Sequence, residues 1–199
     1  MDMEGSITGL SLMSEETDLA KICTREGDVK GRLAFGDGSE MGGLKRTFYC
    51  TTLEKPQGDL DLLNVGFAAM GGSDVAKFIL SPGPEGVAIV CNVPAEFQTD
   101  TDIEDSKDVT RTRKAMFADK WVEAVLSKLE ATSISCQPGS SNDLARACVP
   151  NQPDSDSSEL VKDAQNHAEI MLEEHRCFAE GSDSGSDIAA VCLDASDDY

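Results

Sequence analysis

The residues of this chain that could do chemistry are two histidines and seven cysteines. His167 and His175 are eight residues apart in a segment with helical periodicity. They would therefore lie about two turns apart on one helix, too far to share a metal ion. A zinc site would need Cys177 and a thiol remote in sequence, and no pattern pairs a cysteine nucleophile with a histidine. We therefore predict no catalytic residue, no metal and no cofactor, and we favour a non-catalytic protein over an enzyme.

Sequence motifs and cysteine usage agree with that prediction. The chain has no P-loop, no G-x-G-x-x-G, no G-x-S-x-G and no H-E-x-x-H motif. Its cysteines are odd in number and widely spaced, without C-x-x-C. The N-terminus at residues 1–4 is acidic and lacks the apolar region of a signal peptide. These features predict reduced thiols in a cytosolic or nuclear compartment, of which we favour the cytoplasm, and no membrane partner.

The charge of the chain is strongly negative and uneven. The net charge is −20, from 37 acidic and 17 basic residues, and residues 151–199 hold 13 of the acidic residues but 2 of the basic ones. Such a charge repels phosphate backbones and anionic membranes at long range. It argues against non-specific nucleic-acid binding, so a nucleic-acid partner would need a local basic surface.

The elements that would position any site come from hydrophobic periodicity. Residues 46–53 read as a strand, and Asp59 caps a helix over residues 60–70. Two apolar runs at 77–80 and 87–94 flank a turn of prolines and glycines, which predicts a β-hairpin covered on both faces. A charged connection with no periodicity, predicted to be a loop, follows over residues 98–114.

Two further helices complete the predicted domain. The first, over 115–130, carries Trp121 on its apolar face, where a core position is favoured over a stacking platform. The second spans 158–180, and a short apolar piece lies between the two helices at residues 144–149. Residues 188–193 read equally as a last edge strand or as a disordered segment.

These elements predict one α/β domain with a small mixed β-sheet covered by helices and with flexible acidic termini. The domain spans residues 44–180. Before it, residues 1–43 read as weakly structured, with at most a short helix and a short strand at 31–36. After it, residues 181–199 form an acidic, serine-rich tail.

The central stretch resembles a known family. Residues 77–80, a six-residue turn, residues 87–94, a loop and then residues 121–125 resemble the C-terminal domain of alanyl-tRNA synthetase, the DHHA1 family. The resemblance covers about residues 46–180 and rests on pattern and element order. It implies the DHHA1 fold in a free-standing, divergent, non-catalytic accessory module that binds tRNA and serves translation.

The chain departs from that family at one motif. The family has a glycine-rich turn after the Trp-Val helix, whereas this chain has residues 130–139 with almost no glycine, and Arg146 stands where the family has glutamine. The resemblance then implies a binding surface made of bases and hydroxyls. Its candidate residues are Arg111, Arg113, Lys114, Thr132, Ser133, Ser135, Ser140, Ser141 and Arg146.

Two alternatives stay open for this surface. The bases before the helix over residues 115–130 could form an ordinary solvated loop rather than a phosphate site. The module could also have kept the fold, lost nucleic-acid binding, and become an acidic protein-interaction or regulatory module with a protein partner.

Overall fold

The computed structural model describes residues 8–35, 47–104, 110–129, 143–151 and 157–175, and Cys177, with side chains from residue 18 onward in the first range. The helices are α1 (Thr8–Phe35), α2 (Leu60–Ala69), α3 (Ala118–Lys128) and α4 (Ser157–Glu174). The strands are β1 (Phe48–Thr52), β2 (Ala76–Pro82), β3 (Gly86–Asn92), β4 (Thr101–Glu104), β5 (Thr110–Arg113) and β6 (Leu144–Pro150). A short 3-10 turn spans Ala95–Phe97.

Four strands form the predicted mixed sheet, in the order β1-β2-β3-β6. β1 is parallel to β2, while β3 runs antiparallel to both of its neighbours. The mixed α/β fold predicted from the sequence is confirmed, and the apolar piece at residues 144–149 is the edge strand β6.

Helices cover both faces of this sheet. Phe78 and Leu80 of β2 pack into a cluster with α3 and α4, whereas Ile79 between them packs into a second cluster with α2. Because alternate residues of a strand point to opposite faces, a strand covered on both sides is apolar throughout. The prediction of a doubly covered hairpin is confirmed.

Trp121 lies at the centre of the α3/α4 cluster with none of its surface exposed. Its ring lies 5.1 Å from that of Phe78, and its Nε1 donates a hydrogen bond of 3.1 Å to the carbonyl oxygen of Ala168 in α4. The side chain thus joins α3, α4 and the sheet, and the prediction of a core role is confirmed.

The charged stretch at 98–114 differs from the predicted loop. β4 and β5 pair antiparallel as a separate two-stranded sheet, with Thr101 opposite Arg113. Threonine and isoleucine alternate with charged residues there, and these β-branched residues favour strands. The sequences of both strands are poor in large apolar residues, so hydrophobic periodicity did not indicate them.

The N-terminal region also differs from its prediction. Residues 8–35, predicted to be weakly structured with a short strand at 31–36, form the single helix α1. Gly27 and Gly31 lower the intrinsic helix propensity, but they allow α1 to pack directly on the backbone of α2 at Gly66 and Met70. Tertiary contact therefore outweighs local propensity.

The remaining predictions concern the chain ends. α4 ends at Glu174, and the backbone N–H of Cys177 closes its last turn on the carbonyl of Leu172 at 2.9 Å. The predicted tail at 181–199, including 188–193, lies outside the described residues. Of the four helices that the structure describes, none has both the length and the apolarity needed to cross a bilayer.

Candidate functional site

The buried thiols are poorly suited to nucleophilic chemistry. Cys50 on β1 and Cys91 on β3 both lie in the α3/α4 cluster. Burial raises the pKa of both thiols well above the ordinary value, and the carboxylate of Glu169 adds to the effect at Cys50. Burial and Asp59 also raise the pKa of half-buried Cys148. A reactive cysteine needs the opposite environment, one that stabilises the thiolate.

The histidines do not form a metal site within the part of the chain that is described. His167 lies in the C-terminal half of α4, and His175 directly follows the last residue of that helix, so they lie about two turns apart as their spacing predicted. The Nδ1 atom of His175 is buried and has no hydrogen-bond partner among the described residues. Over the described ranges, no three His, Cys, Asp or Glu residues come close enough to hold a metal ion.

Arg113, the best-defined base of the predicted nucleic-acid surface, is used inside the protein. Its guanidinium lies 4.6 Å from the ring centre of Phe97. Its Nη2 donates to the carbonyl of Glu96 at 3.1 Å and to the hydroxyl of Thr101 at 3.4 Å. These contacts hold β5 against the 3-10 turn, so Arg113 has a structural role whatever else it binds.

Two further bases of the predicted surface lie close to Arg113 in the sequence. Lys114 is exposed, and its backbone N–H donates to the carbonyl of His175 at 3.1 Å. Arg111 lies in β5 opposite Ile103, where the structure describes its backbone. Three bases within four residues therefore sit on the hairpin and the turn that lead into α3.

Arg146 lies on a different sheet from those bases. It pairs with Val90 in the centre of β6. Its neighbours in the strand, Ala145 and Ala147, point to the α3/α4 cluster, so Arg146 points to the α2 side with Cys148. The described contacts do not bring Arg146 together with Arg113. The predicted hydroxyls lie outside the described residues: Thr132, Ser133, Ser135, Ser140 and Ser141. The composite surface stays a prediction.

An apolar surface that the sequence analysis did not predict lies on α1. Leu19, Ile22, Val29 and Leu33 are exposed by 44%, 47%, 43% and 74%. We call these four residues the α1 apolar stripe. With Glu26 between them, their spacing of three and four residues repeats along one side of the helix, as a and d positions do in a coiled coil. The four apolar side chains thus lie along one side of α1, with Glu26 at the centre of the line, rather than being scattered over the helix.

The other side of α1 fixes it to the domain. Cys23 and Ala34 are buried, and the two glycines between them touch the backbone of α2. Because this small-residue face is held against α2, the apolar stripe is held outward at a fixed angle.

Glu26, which lies between Ile22 and Val29 on the stripe side of α1, adds a second attachment. Its carboxylate accepts hydrogen bonds from the backbone N–H groups of Glu54 at 2.9 Å and Lys55 at 3.0 Å. Nearby, the Lys30 ammonium donates to the carbonyl of Thr52. These bonds join α1 to the chain that leaves β1, and Glu26 itself is partly buried.

Sequence reasoning missed this surface although its signal was present. Leu12, Leu19, Glu26 and Leu33 are seven residues apart in succession, with Ile22 and Val29 between them. Gly27 and Gly31 interrupt that heptad pattern. Because glycine is unfavourable within a helix, they argued against a helix over these residues.

Comparison with known proteins leaves the family open. No protein-family model matches this chain, and no curated protein matches it.

Proposed function

We propose that this chain is a non-catalytic protein-interaction module whose docking surface is the α1 apolar stripe. The cytoplasmic location predicted from its cysteines is part of this proposal. The observation that carries it is the partial exposure of four large aliphatic side chains along one rigidly held helix. Single exposed apolar residues are normal in proteins, whereas a contiguous line of them rimmed by polar groups is typical of an interaction site.

The surroundings of the stripe support a protein partner. On the rim, Lys21 pairs with Asp18 at 2.9 Å and Arg32 pairs with Asp28. These pairs lie within α1 and each offsets its own charge, so this rim has no strong field of one sign. An apolar line with such a rim suits the side chains of a protein partner better than it suits a phosphate backbone.

A second candidate function is the binding of tRNA, as in the C-terminal domain of alanyl-tRNA synthetase. The observation that favours it is the group of bases on β5 and the following turn: Arg111, Arg113 and exposed Lys114. The internal contacts of Arg113 and the net charge of −20 oppose it.

A peptide-display selection on the full chain tests the interaction function. The library should mix helical, extended and unstructured peptides. We expect enrichment of binders whose association is lost with Ile22→Asp and kept with Ile170→Asp. Ile170 is a matched control for Ile22, because both residues lie in helices and both are 47% exposed. Enrichment that Ile22→Asp leaves unchanged, or no enrichment, would contradict the proposal.

A titration with tRNA at several salt concentrations tests the second candidate. That candidate predicts binding that weakens steeply with salt, by about one unit of logarithmic slope for each phosphate neutralised. It also predicts loss of binding in the double variant Arg113→Glu, Arg146→Glu, with circular dichroism checking that the variant folds. The interaction module predicts no association even at low salt.

A further inference from the structure

We infer that the partner of the α1 apolar stripe is a basic amphipathic helix that places one lysine or arginine against Glu26. This inference rests on the proposed function and names the class of partner for the same surface. It is carried by the spacing of the stripe, by the charge of the chain and by the chemistry of Glu26.

The spacing selects a helix as the occupant. Leu19, Ile22, Glu26, Val29 and Leu33 follow one another at steps of three, four, three and four residues. An extended strand repeats every two residues, whereas a second helix presents side chains at this same average step of about 3.5 residues. Since the stripe covers fifteen residues of α1, which are fourteen steps of about 1.5 Å, it is about 21 Å long and fits roughly four turns of a partner helix.

The charge of the chain disfavours a second copy. Each copy carries a net charge of −20, so two copies repel one another. The same charge attracts a cationic helix and speeds its encounter with the stripe.

Glu26 sets the requirement for a positive group within the apolar seam. A carboxylate offers about four lone-pair sites, and two backbone N–H groups occupy one site on each oxygen. An apolar helix laid over the stripe would remove water from the remaining sites without replacing its hydrogen bonds, which is unfavourable. A lysine or arginine at the facing position supplies the missing donor and fixes the register of the two helices.

Four synthetic helices test this inference on the full chain by isothermal titration calorimetry. All share leucine at their a and d positions. The first has lysine at the central a position and a lysine- and arginine-rich outer face, and the second replaces that central lysine with methionine. The third keeps the central lysine but has a glutamate-rich outer face, and the fourth is the first helix with its residue order scrambled.

We expect the first helix to bind tightest. Its affinity should fall roughly tenfold to a hundredfold when the central lysine becomes methionine, as for a lost charge-assisted hydrogen bond. Glu26→Gln should abolish most of that difference, whereas Ile170→Asp should leave it intact. Circular dichroism of Glu26→Gln checks that α1 still packs, because its side chain also accepts from Glu54 and Lys55.

Other results would overturn the inference in distinguishable ways. Equal binding of the basic and the glutamate-rich helices, still lost with Ile22→Asp, would reject a cationic partner and leave the docking function standing. Equal binding of the scrambled helix, or of all helices to Ile22→Asp, would reject helix docking at this surface. A dimer in sedimentation that Leu33→Asp dissociates would assign the stripe to a second copy.

Discussion

Gly27 of α1 lies directly against the backbone of Gly66 in α2. A Cβ atom at residue 27 would lie 2.0 Å from the Gly66 carbonyl oxygen, and one at Gly31 would lie 1.9 Å from that of Met70. Real Cβ atoms do not come so close to backbone, so both positions require glycine. This contact holds α1 on the domain and thereby holds its apolar stripe toward the surroundings.

The first prediction concerns that contact. Gly31→Ala should lower the free energy of unfolding by about 1–3 kcal/mol, because overpacking outweighs the gain of up to about 1 kcal/mol in helix propensity. Urea unfolding followed by circular dichroism measures the change. Arg25→Ala, at an exposed position of the same helix, is the control and should change little. A stabilised Gly31→Ala protein would mean that α1 is not packed on α2 as described.

The second prediction concerns Trp121. Trp121→Ala should cost about 3–5 kcal/mol, since it removes a fully buried ring and the hydrogen bond to Ala168. Thermal unfolding followed by circular dichroism measures the loss, with Ile170→Ala as a partly exposed control. An unchanged midpoint for Trp121→Ala would be incompatible with a core position.

How far the sequence predicts this fold depends on the range of the interactions involved. The cap at Asp59, whose side chain accepts from the backbone of Leu62, and the apolar strand β2 are local patterns that were readable directly. The role of Gly27 depends on Gly66, thirty-nine residues further along the chain. In a single sequence such a glycine reads as a helix breaker, because the backbone that it packs against is remote in sequence.

The candidate site was harder to predict for the same reason. The sequence suggested that Arg113 is free to bind phosphate, as one of several neighbouring bases. In the fold, its guanidinium lies against the ring of Phe97 and donates a hydrogen bond to the carbonyl of Glu96. In contrast, the exposure of Leu33 depends on the way in which α1 is turned by its packing on α2. The contacts of Arg113 and the exposure of Leu33 both depend on how separate elements pack together. Composition and periodicity carry no information on that packing.

The third prediction concerns pH. The Lys77 side chain is buried, donates to the carbonyl of Gly71 and lies 4.6 Å from the centre of the Phe67 ring. Burial lowers its pKa below the ordinary lysine value, and Asp74 opposes this effect. The unfolded chain therefore holds this proton more readily than the folded protein does. Its contribution to stability is complete above the unfolded pKa of about 10.4 and is lost as the pH falls through the lowered folded value.

Urea unfolding of the wild type and of Lys77→Met at several pH values measures this contribution. The wild-type free energy of unfolding, relative to that of the variant, should rise as the pH approaches about 10.4. Lys55→Met, which removes an exposed ammonium, is the matched control. A difference that falls with rising pH would show that Lys77 is stabilised in its charged form.

The fourth prediction concerns the thiols. Alkylation at neutral pH should modify half-buried Cys148 before Cys50 and Cys91, which should react when the protein unfolds. Burial and the raised pKa values of Cys50 and Cys91 both suppress the thiolate. Mass spectrometry of the peptides gives the order of reaction. Rapid modification of Cys50 in the folded protein would reopen the possibility of a cysteine enzyme.

The most direct test of the docking surface is methyl NMR of the full chain, labelled at isoleucine, leucine and valine, during titration with the basic helix. The account predicts that the methyl signals of Leu19, Ile22, Val29 and Leu33 shift together and saturate, while that of Ile170 stays in place. Shifts centred on Ile170, or a saturating titration that leaves the stripe unchanged, would contradict the assignment of α1 as the docking surface.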